Sequence, residues 1–511
     1  MSRAGRVAVI GGGFSGAMTA AHLASRGVPT VVIEPGELGR GAAYARTPHP
    51  LLLNAPVSAM SALPEEPRHF EAWLERQRWS PSAAMAAARS GDRPHQPANM
   101  TGDRSVPGPR SAHRGAEAPS GPPGAGVLPH PFVAAPAGEL GGCFAPRAMY
   151  GDYLEHTIAA LSAGRLDVVR ARAQAIERTA GGFAVRCDDG TELASASVVL
   201  ALGNPAARTP DAVTGEEDGY VADPYRALAD IGDTDPVALL GTGLTALDVI
   251  AALRAQGHRG RIVCASRRGL IPTAHAPRAC EPVVVPRELV RQPHLPALLA
   301  WWRSRIERAD AEHRGEVSQA MIAALRPLLS TLWRRLPLAD RARFLRHVRP
   351  RWDVVRHRAP PSVRAVLDAG VADGSIAVLA ARLAAVEETP RGLRCRFAAA
   401  GGGTTVHDVR WLVNCTGPER DIRRLDSPLV RSLVEHRMVE PDPLGLGVQT
   451  GPSGQLLGAD GYIPDAFVVG PWRMADLWEA SAVPELRAHA ADTADALVGA
   501  LAPGAIRTAS V

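Results

Sequence analysis

The chain opens with an apolar run, Val7–Ile10, that breaks at glycine and then continues in small and apolar residues as far as Leu23. An unbroken apolar run of this length reads as a strand buried on both faces, as in a parallel sheet, and the small-residue stretch after the glycines reads as the helix that packs on it. A second strand, Val31–Ile33, comes after Gly27 and ends at Glu34. The same rhythm returns at Val237–Leu240, with a helix to Gln256 and a strand Ile262–Ala265. Between the two units, Phe144–Leu154 leads into a helix to about Ala163. Leu166–Ile176, Gly182–Asp188 and Glu192–Leu193 alternate and turn, which predicts a small antiparallel meander, and Ala196–Leu202 predicts a buried strand. From Pro286 to Trp352 apolar residues recur at helical spacing, with Trp301, Trp302 and Trp333 expected in core packing. Two more apolar strands, Trp411–Asn414 and Ala466–Val469, are expected to return the chain to the first sheet before a helix that runs to about Leu501.

Two stretches lack this regularity. Leu51–Leu74 has neither period in its first part, and from Pro67 predicts a short helix with Phe70, Trp73 and Leu74 inward. Residues 80–136 are rich in Pro, Gly, Ala, Arg and Ser, with almost no large apolar side chain, so they cannot bury enough surface to offset their ordering entropy. This segment reads as a flexible insertion. The expected fold is α/β, with two Rossmann-like dinucleotide-binding domains. The second domain, 231–375 with a helical insertion at 286–352, interrupts a first domain made of 1–230 and 376–511.

The chemistry is carried by the two turns after the parallel strands. Gly11, Gly13 and Gly16 form G-x-G-x-x-G at the mouth of a helix. A side chain at the turn would block both the reversal and the approach of a pyrophosphate to backbone N–H groups, while the helix N-terminus adds about half a positive charge there. Glu34 stands where a carboxylate accepts from both hydroxyls of a ribose. The glycine-rich loop Pro35–Tyr44, which contains Arg40, is expected beneath the nucleotide. Asn54 and Ser58 are expected in the wall of an isoalloxazine pocket, which makes them the catalytic candidates.

The second turn has Gly241 and Gly243, with Ala246 in place of the third glycine, and its second strand ends in Ser266-Arg267-Arg268 instead of an acid. A carboxylate there would repel a 2′-phosphate, whereas an arginine fork grips one. An acid-ended unit followed by an arginine-ended unit implies FAD plus NADPH.

Composition narrows the function classes further. The chain has no lysine, all 57 basic residues being arginine, so a lysine Schiff base is excluded. A net charge of +5 without a basic low-complexity tail does not argue for nucleic acid, and anionic cofactors account for it more simply. Six scattered cysteines show no C-x-x-C and no metal-ligand spacing, which suggests a reducing cytoplasm and argues against a redox-active disulfide. No apolar run reaches membrane-spanning length, and no metal is expected.

With VIGGGFSG, GRGAAYARTPHPLLLNAPVSAMSA, PRAMYGDYL, LLGTGLTALDV with SRRGLIPTAH, WDVVRHR, NCTGP and GPWRMADLWEASAVPELR in hand, the chain resembles a bacterial group of FAD/NAD(P)-binding flavoproteins. That group is related to class B flavin monooxygenases and amino-acid N-hydroxylases. The resemblance implies an FAD site drawing on Gly11, Gly13, Phe14, Ser15, Gly16, Glu34, Arg40, Asn54, Gly203, Gly417, Gly470 and Trp478. It implies an NADPH site drawing on Gly241, Thr242, Gly243, Thr245, Arg267 and Arg268. His275, Arg356, His357 and Arg358 are the substrate candidates, for a small molecule such as an amine or amino acid. The implied reaction is flavin reduction by NADPH, then N-hydroxylation by molecular oxygen through a C4a-(hydro)peroxyflavin. The F-x-G-x-x-x-H signature of Baeyer–Villiger enzymes is absent, Tyr220–Tyr225 standing roughly in its place. The second reading is a flavin reductase that uses another acceptor.

Overall fold

The computed structural model describes residues 5–47, 51–79, 140–226, 228–276 and 282–501, so the insertion expected at 80–136 lies outside the described residues. Val7–Ile10 becomes the centre of a six-stranded sheet because all four of its side chains are buried on both faces. The spatial order is Gln455–Gly458, Gly461–Val468, Ser197–Leu200, Val7–Ile10, Thr30–Ile33 and Leu166–Val169. Ile10 pairs with Ile33 on one side and Leu200 on the other, so the three strand ends open onto one edge. The helix Phe14–Ser25 covers the sheet and packs between the helices Arg147–Ser162 and Val483–Leu501. His69–Arg76 is helical with Phe70, Trp73 and Leu74 buried, as its spacing predicts.

Leu166–Val169 departs from the meander reading. It is a parallel edge strand beside Thr30–Ile33, because the helix Arg147–Ser162 crosses over and delivers it in the same direction. The antiparallel sheet is formed by Ala173–Thr179, Gly182–Cys187 and Glu192–Ser195 alone.

The second sheet has seven strands in the order Thr404–Val409, Gly392–Ala399, Ile376–Thr389, Ile262–Ser266, Val237–Leu240, Trp411–Asn414 and Tyr220–Val221. This corrects the expected return of Trp411–Asn414 to the first sheet: the strand lies parallel to Val237–Leu240. The hairpin from Ile376 to Val409 feeds it directly, and the Arg410 N–H donates to the Pro236 carbonyl at 2.8 Å to set its register. An apolar run specifies burial but not which sheet receives it. Residues 376–414 therefore belong with the second unit. The chain rejoins the first at the helix Pro428–Glu435, where Leu429, Val430 and Leu433 share a core with Ile176 and Phe183.

The helical insertion consists of short helices from Arg287 to Arg356. It is fastened to both units: the Thr273 N–H of the second donates to the Val354 carbonyl at 2.9 Å, and two contacts tie it to the first. Trp333 Nε1 donates to the Ala475 carbonyl at 2.9 Å, and Arg326 forms an ion pair with Glu485 in the first turn of the last helix.

Candidate functional site

Gly11 has φ +99° and lies so close to the Ala201 carbonyl that a Cβ would overlap it, while a Cβ on Gly16 would overlap the Gly11 carbonyl. These positions exclude a side chain outright, and Gly13 leads the helix Phe14–Ser25 as its N-cap. The Glu34 carboxylate accepts from the backbone N–H of Gly12 and from that of Gly36, each at 2.7 Å. It is thereby fixed at the end of its strand beside the glycine turn. Gly470, at φ +85°, comes from the other end of the chain and sits against the Ser15 hydroxyl. Gly203, at φ +67°, follows the strand next to Gly11. The structure thus gathers Gly11, Gly13, Ser15, Gly16, Glu34, Gly203 and Gly470 at one sheet edge. The Phe14 side chain turns into the core with Met18, Leu53 and Tyr150.

The second cradle repeats the construction. Gly241, at φ +115°, lies so close to the Cys415 carbonyl that a Cβ would overlap it, and Gly243 caps the helix Leu244–Ala255. The Thr242 hydroxyl is shared with Ser266 Oγ at 2.8 Å and donates to the Leu270 carbonyl. Thr245 reaches the Tyr225 hydroxyl. Arg267 and Arg268 are exposed at the end of the strand, and Arg268 donates to the Arg346 carbonyl of the helical insertion at 3.3 Å. Both turns exclude side chains where a dinucleotide phosphate would lie, so the residues present fit FAD and a nicotinamide dinucleotide.

Four expectations are corrected. Gly417 follows the strand beside Gly241, so it is the second cradle's counterpart of Gly203 and does not belong to the first. Arg40 is 1% exposed and ion-paired with Asp152, Glu155 and Glu37, so its guanidinium holds the loop to the helix Arg147–Ser162. Trp478 stacks on Trp333 at 4.6 Å and meets Phe344 edge-on at 5.4 Å, inside the helical insertion's core. Ser58 is exposed beside Gly141, so it does not form part of a buried pocket wall.

The substrate candidates do converge. A parallel bridge between Ala274 and Ala359, with the Ala359 N–H donating to the Thr273 carbonyl at 2.9 Å, ties the segment carrying His275 to the one carrying Arg356, His357 and Arg358. His275 Nε2 bonds the Asn54 carbonyl at 2.9 Å, so Asn54 also joins this group. Burial lowers the His275 pKa to about 4, outweighing the upward pull of that bond. The ring is therefore neutral at pH 7 and donates.

At the centre stands Glu479, which no sequence motif singles out. It is 2% exposed and held at φ +72°, a conformation that costs a non-glycine residue about 1 kcal/mol or more. Trp352 Nε1 donates to its Oε1 at 2.8 Å, Arg356 Nε lies 3.2 Å from Oε2, and His357 Nε2 lies 3.8 Å from Oε1. Burial would raise the Glu479 pKa, but His357, Arg356, Arg420 and the Trp352 bond together hold it below the usual range. Arg356 and Glu479 Oε2 are at ion-pair distance but misaligned, so both are buried without a hydrogen-bond partner. Arg358 Nε is likewise unpartnered, and burial followed by the charge of Arg356 pulls its pKa down to about 10. Arg420 is desolvated in the same way, to about 10, and donates to the Met474 sulfur. Asp353, His357 and Glu479 each present one ligand atom within 4.8 Å of the others, the two carboxylates being met by Arg349 and by Arg356 with Trp352. A buried network with idle donors and an idle acceptor can orient a polar ligand and hold a proton.

A third feature joins the two cradles. The Arg147 guanidinium, at the start of the helix Arg147–Ser162, donates to Asp248 at 2.7 Å and to the Leu52 carbonyl at 2.9 Å, and the Tyr225 hydroxyl also donates to Asp248 at 3.1 Å. Burial raises the Asp248 pKa despite Arg147.

Residues 8–103 and 133–205 match a family described as FAD-NAD(P)-binding. No curated protein matches the chain in sequence. Among solved structures, the chain is similar to the reduced form of the ornithine hydroxylase of Pseudomonas aeruginosa, with 14% identity, TM-score 0.58, and 98% of this chain and 100% of that one covered. It is similar to the L-lysine 6-monooxygenase of Pseudomonas syringae at 14% identity and TM-score 0.56, again covering 98% and 100%. It is also similar to the ornithine N-hydroxylase of Kutzneria sp. 744, whose structure is titled with reduced FAD, NADP+ and L-ornithine, at 13% identity and TM-score 0.54, covering 97% and 99%. Identities this low establish the shared fold. The chain carries a FAD-NAD(P)-binding domain over residues 8–103 and 133–205, within a fold shared with these hydroxylase structures.

Proposed function

We propose that the protein is an FAD-dependent, NADPH-using monooxygenase that hydroxylates the nitrogen of an amine or amino acid. The observation that carries this reading is the pair of glycine-built cradles, one ending in the fixed carboxylate of Glu34 and the other in the exposed Arg267 and Arg268. The likeness to ornithine and lysine hydroxylase structures supports the reaction class. FAD, when bound, supplies hydride acceptance and oxygen chemistry.

The chain's own part is to bind, orient and exclude water. Glu34 and the helix Phe14–Ser25 would hold FAD at the first cradle, and Arg267 and Arg268 would distinguish the 2′-phosphate at the second. The buried group around Glu479 would position the substrate and accept or retain its proton.

The test is to mix the purified yellow protein with NADPH under air, supply candidate amines, and measure NADPH oxidation, oxygen uptake and hydroxylated product together. Coupled oxygen uptake with an N-hydroxylated product is expected. NADPH oxidation with no oxygen incorporated into any amine would favour a reductase with another acceptor, and no flavin reduction at all would overturn both.

A further inference from the structure

The helical insertion surrounds a cavity of about 560 Å³ whose lining includes no residue of either glycine turn. Its walls are leucines and aromatic rings, and Trp352 and Trp478 form the side that backs onto Glu479. Every charged or titratable group lining it is basic: Arg303, His347 and Arg351, all exposed. The nearby carboxylates are already engaged. Asp340 meets Arg343 at 3.3 Å and the Leu295 N–H at 3.0 Å, and Asp353 meets Arg349 at 3.4 Å. Arg303 and Arg351 are left without a carboxylate among the described residues. Two lining indoles, Trp301 and Trp478, have buried Nε1 atoms with no hydrogen-bond partner, and Trp478 is 4% exposed.

A pocket with apolar walls, unpaired N–H donors and cationic side chains selects a ligand that is apolar over most of its length and carries an acceptor that is anionic. A free diamino acid is the wrong complement, since its ammonium groups would meet arginines and find no acid in the lining. We propose that this cavity binds an alkyl or aryl carboxylate, with the apolar body among the tryptophans and the carboxylate at Arg303 and Arg351. The assignment stands on the cavity alone and does not need the monooxygenase reading to be right.

The test is calorimetric titration of the full-length, flavin-loaded protein with decanoate, and separately with decylamine, at equal ionic strength and below micelle formation. Decanoate should bind saturably at one site, and decylamine at least about tenfold more weakly. The surface double variant R303A/R351A should lose about tenfold in decanoate affinity. L299W, which fills the cavity from a partly exposed wall position, should abolish binding of decanoate while the wild-type flavin absorbance is retained. Equal or tighter binding of decylamine, no binding of decanoate, or affinity unchanged in both variants would overturn the proposal. Because the readout is binding and not turnover, a protein that fails to hydroxylate amines can still pass this test.

Discussion

The two nucleotide cradles are built alike and finished differently. In each, a glycine with positive φ, Gly11 or Gly241, presses against a carbonyl of the neighbouring strand, Ala201 or Cys415, and a second glycine begins the helix. Two residues beyond each carbonyl stands another positive-φ glycine, Gly203 or Gly417. The difference lies at the end of the second strand. In the first cradle Glu34 is clamped by two backbone N–H groups. In the second the equivalent clamp is made by neutral hydroxyls, Ser266 accepting from Gly269 at 3.1 Å and sharing a bond with Thr242, and the charge is carried by the exposed Arg267 and Arg268 beyond it. On the function proposed above, the shared backbone construction would bind the pyrophosphate and the strand-end charge would select which ribose is accepted.

The largest effect expected from breaking this likeness comes from the glycines. G11V should leave the protein colourless, with FAD affinity down at least about 100-fold, since both the positive φ and the carbonyl contact forbid the side chain. G241V should keep its flavin spectrum yet fail to be reduced by NADPH. If the two variants behaved identically, the cradles would not be separate sites.

Next comes the charge that distinguishes them. R267A/R268A should raise the KM for NADPH about 10- to 100-fold while leaving that for NADH within about twofold, the size expected for losing charge-assisted hydrogen bonds. An equal change for both coenzymes in steady-state assays would remove the 2′-phosphate assignment. E34Q is smaller. It turns one N–H donor toward the donor of Gly12 or Gly36, so FAD affinity measured by equilibrium dialysis should fall about tenfold, with the KM for NADPH unaffected.

The smallest effect concerns the contact between His275 and Asn54, which links the two units. The His275 pKa is lowered in the folded state to about 4 from an ordinary 6.5. The unfolded chain therefore takes up the proton first as pH falls, so stability is lost between about 6.5 and 4 and is fully present above that window. His489 is lowered to about 4 by burial and adds a slope of the same sign. H275Q should flatten the fall in Tm between pH 7 and 5 by a few degrees relative to wild type, and an unchanged profile would show that His275 titrates normally.

How much of the molecule is legible in its sequence depends on sequence distance. The first cradle can be read because strand, turn, helix and acid lie within Val7–Glu34, and each residue's conformation is dictated by its immediate neighbours. Arg40 suggests a nucleotide contact but is engaged in a buried ion-pair cluster, because its partners Asp152 and Glu155 lie a hundred residues away on one helix face, and nothing local announces that pairing. Glu479 escapes notice although Trp478 beside it is a candidate. Its partner Trp352 is 127 positions earlier, and its only local signal is an acid in a mostly apolar segment. Trp301 and Trp302 pack against the insertion's core as expected and also line its cavity, because helical spacing shows that a face is covered but not whether the cover fills all the space beneath it.

The sequence alone determined that there are two dinucleotide turns and that their strand ends bear opposite charge, since backbone geometry and residue type settle both within about thirty positions. Tertiary structure decided which sheet receives Trp411–Asn414, where the helical insertion docks, and that Arg356, His357 and Arg420 gather around the buried Glu479. Those outcomes rest on packing between segments far apart in the chain, where many pairings satisfy the same hydrophobic pattern and only the assembled core distinguishes them.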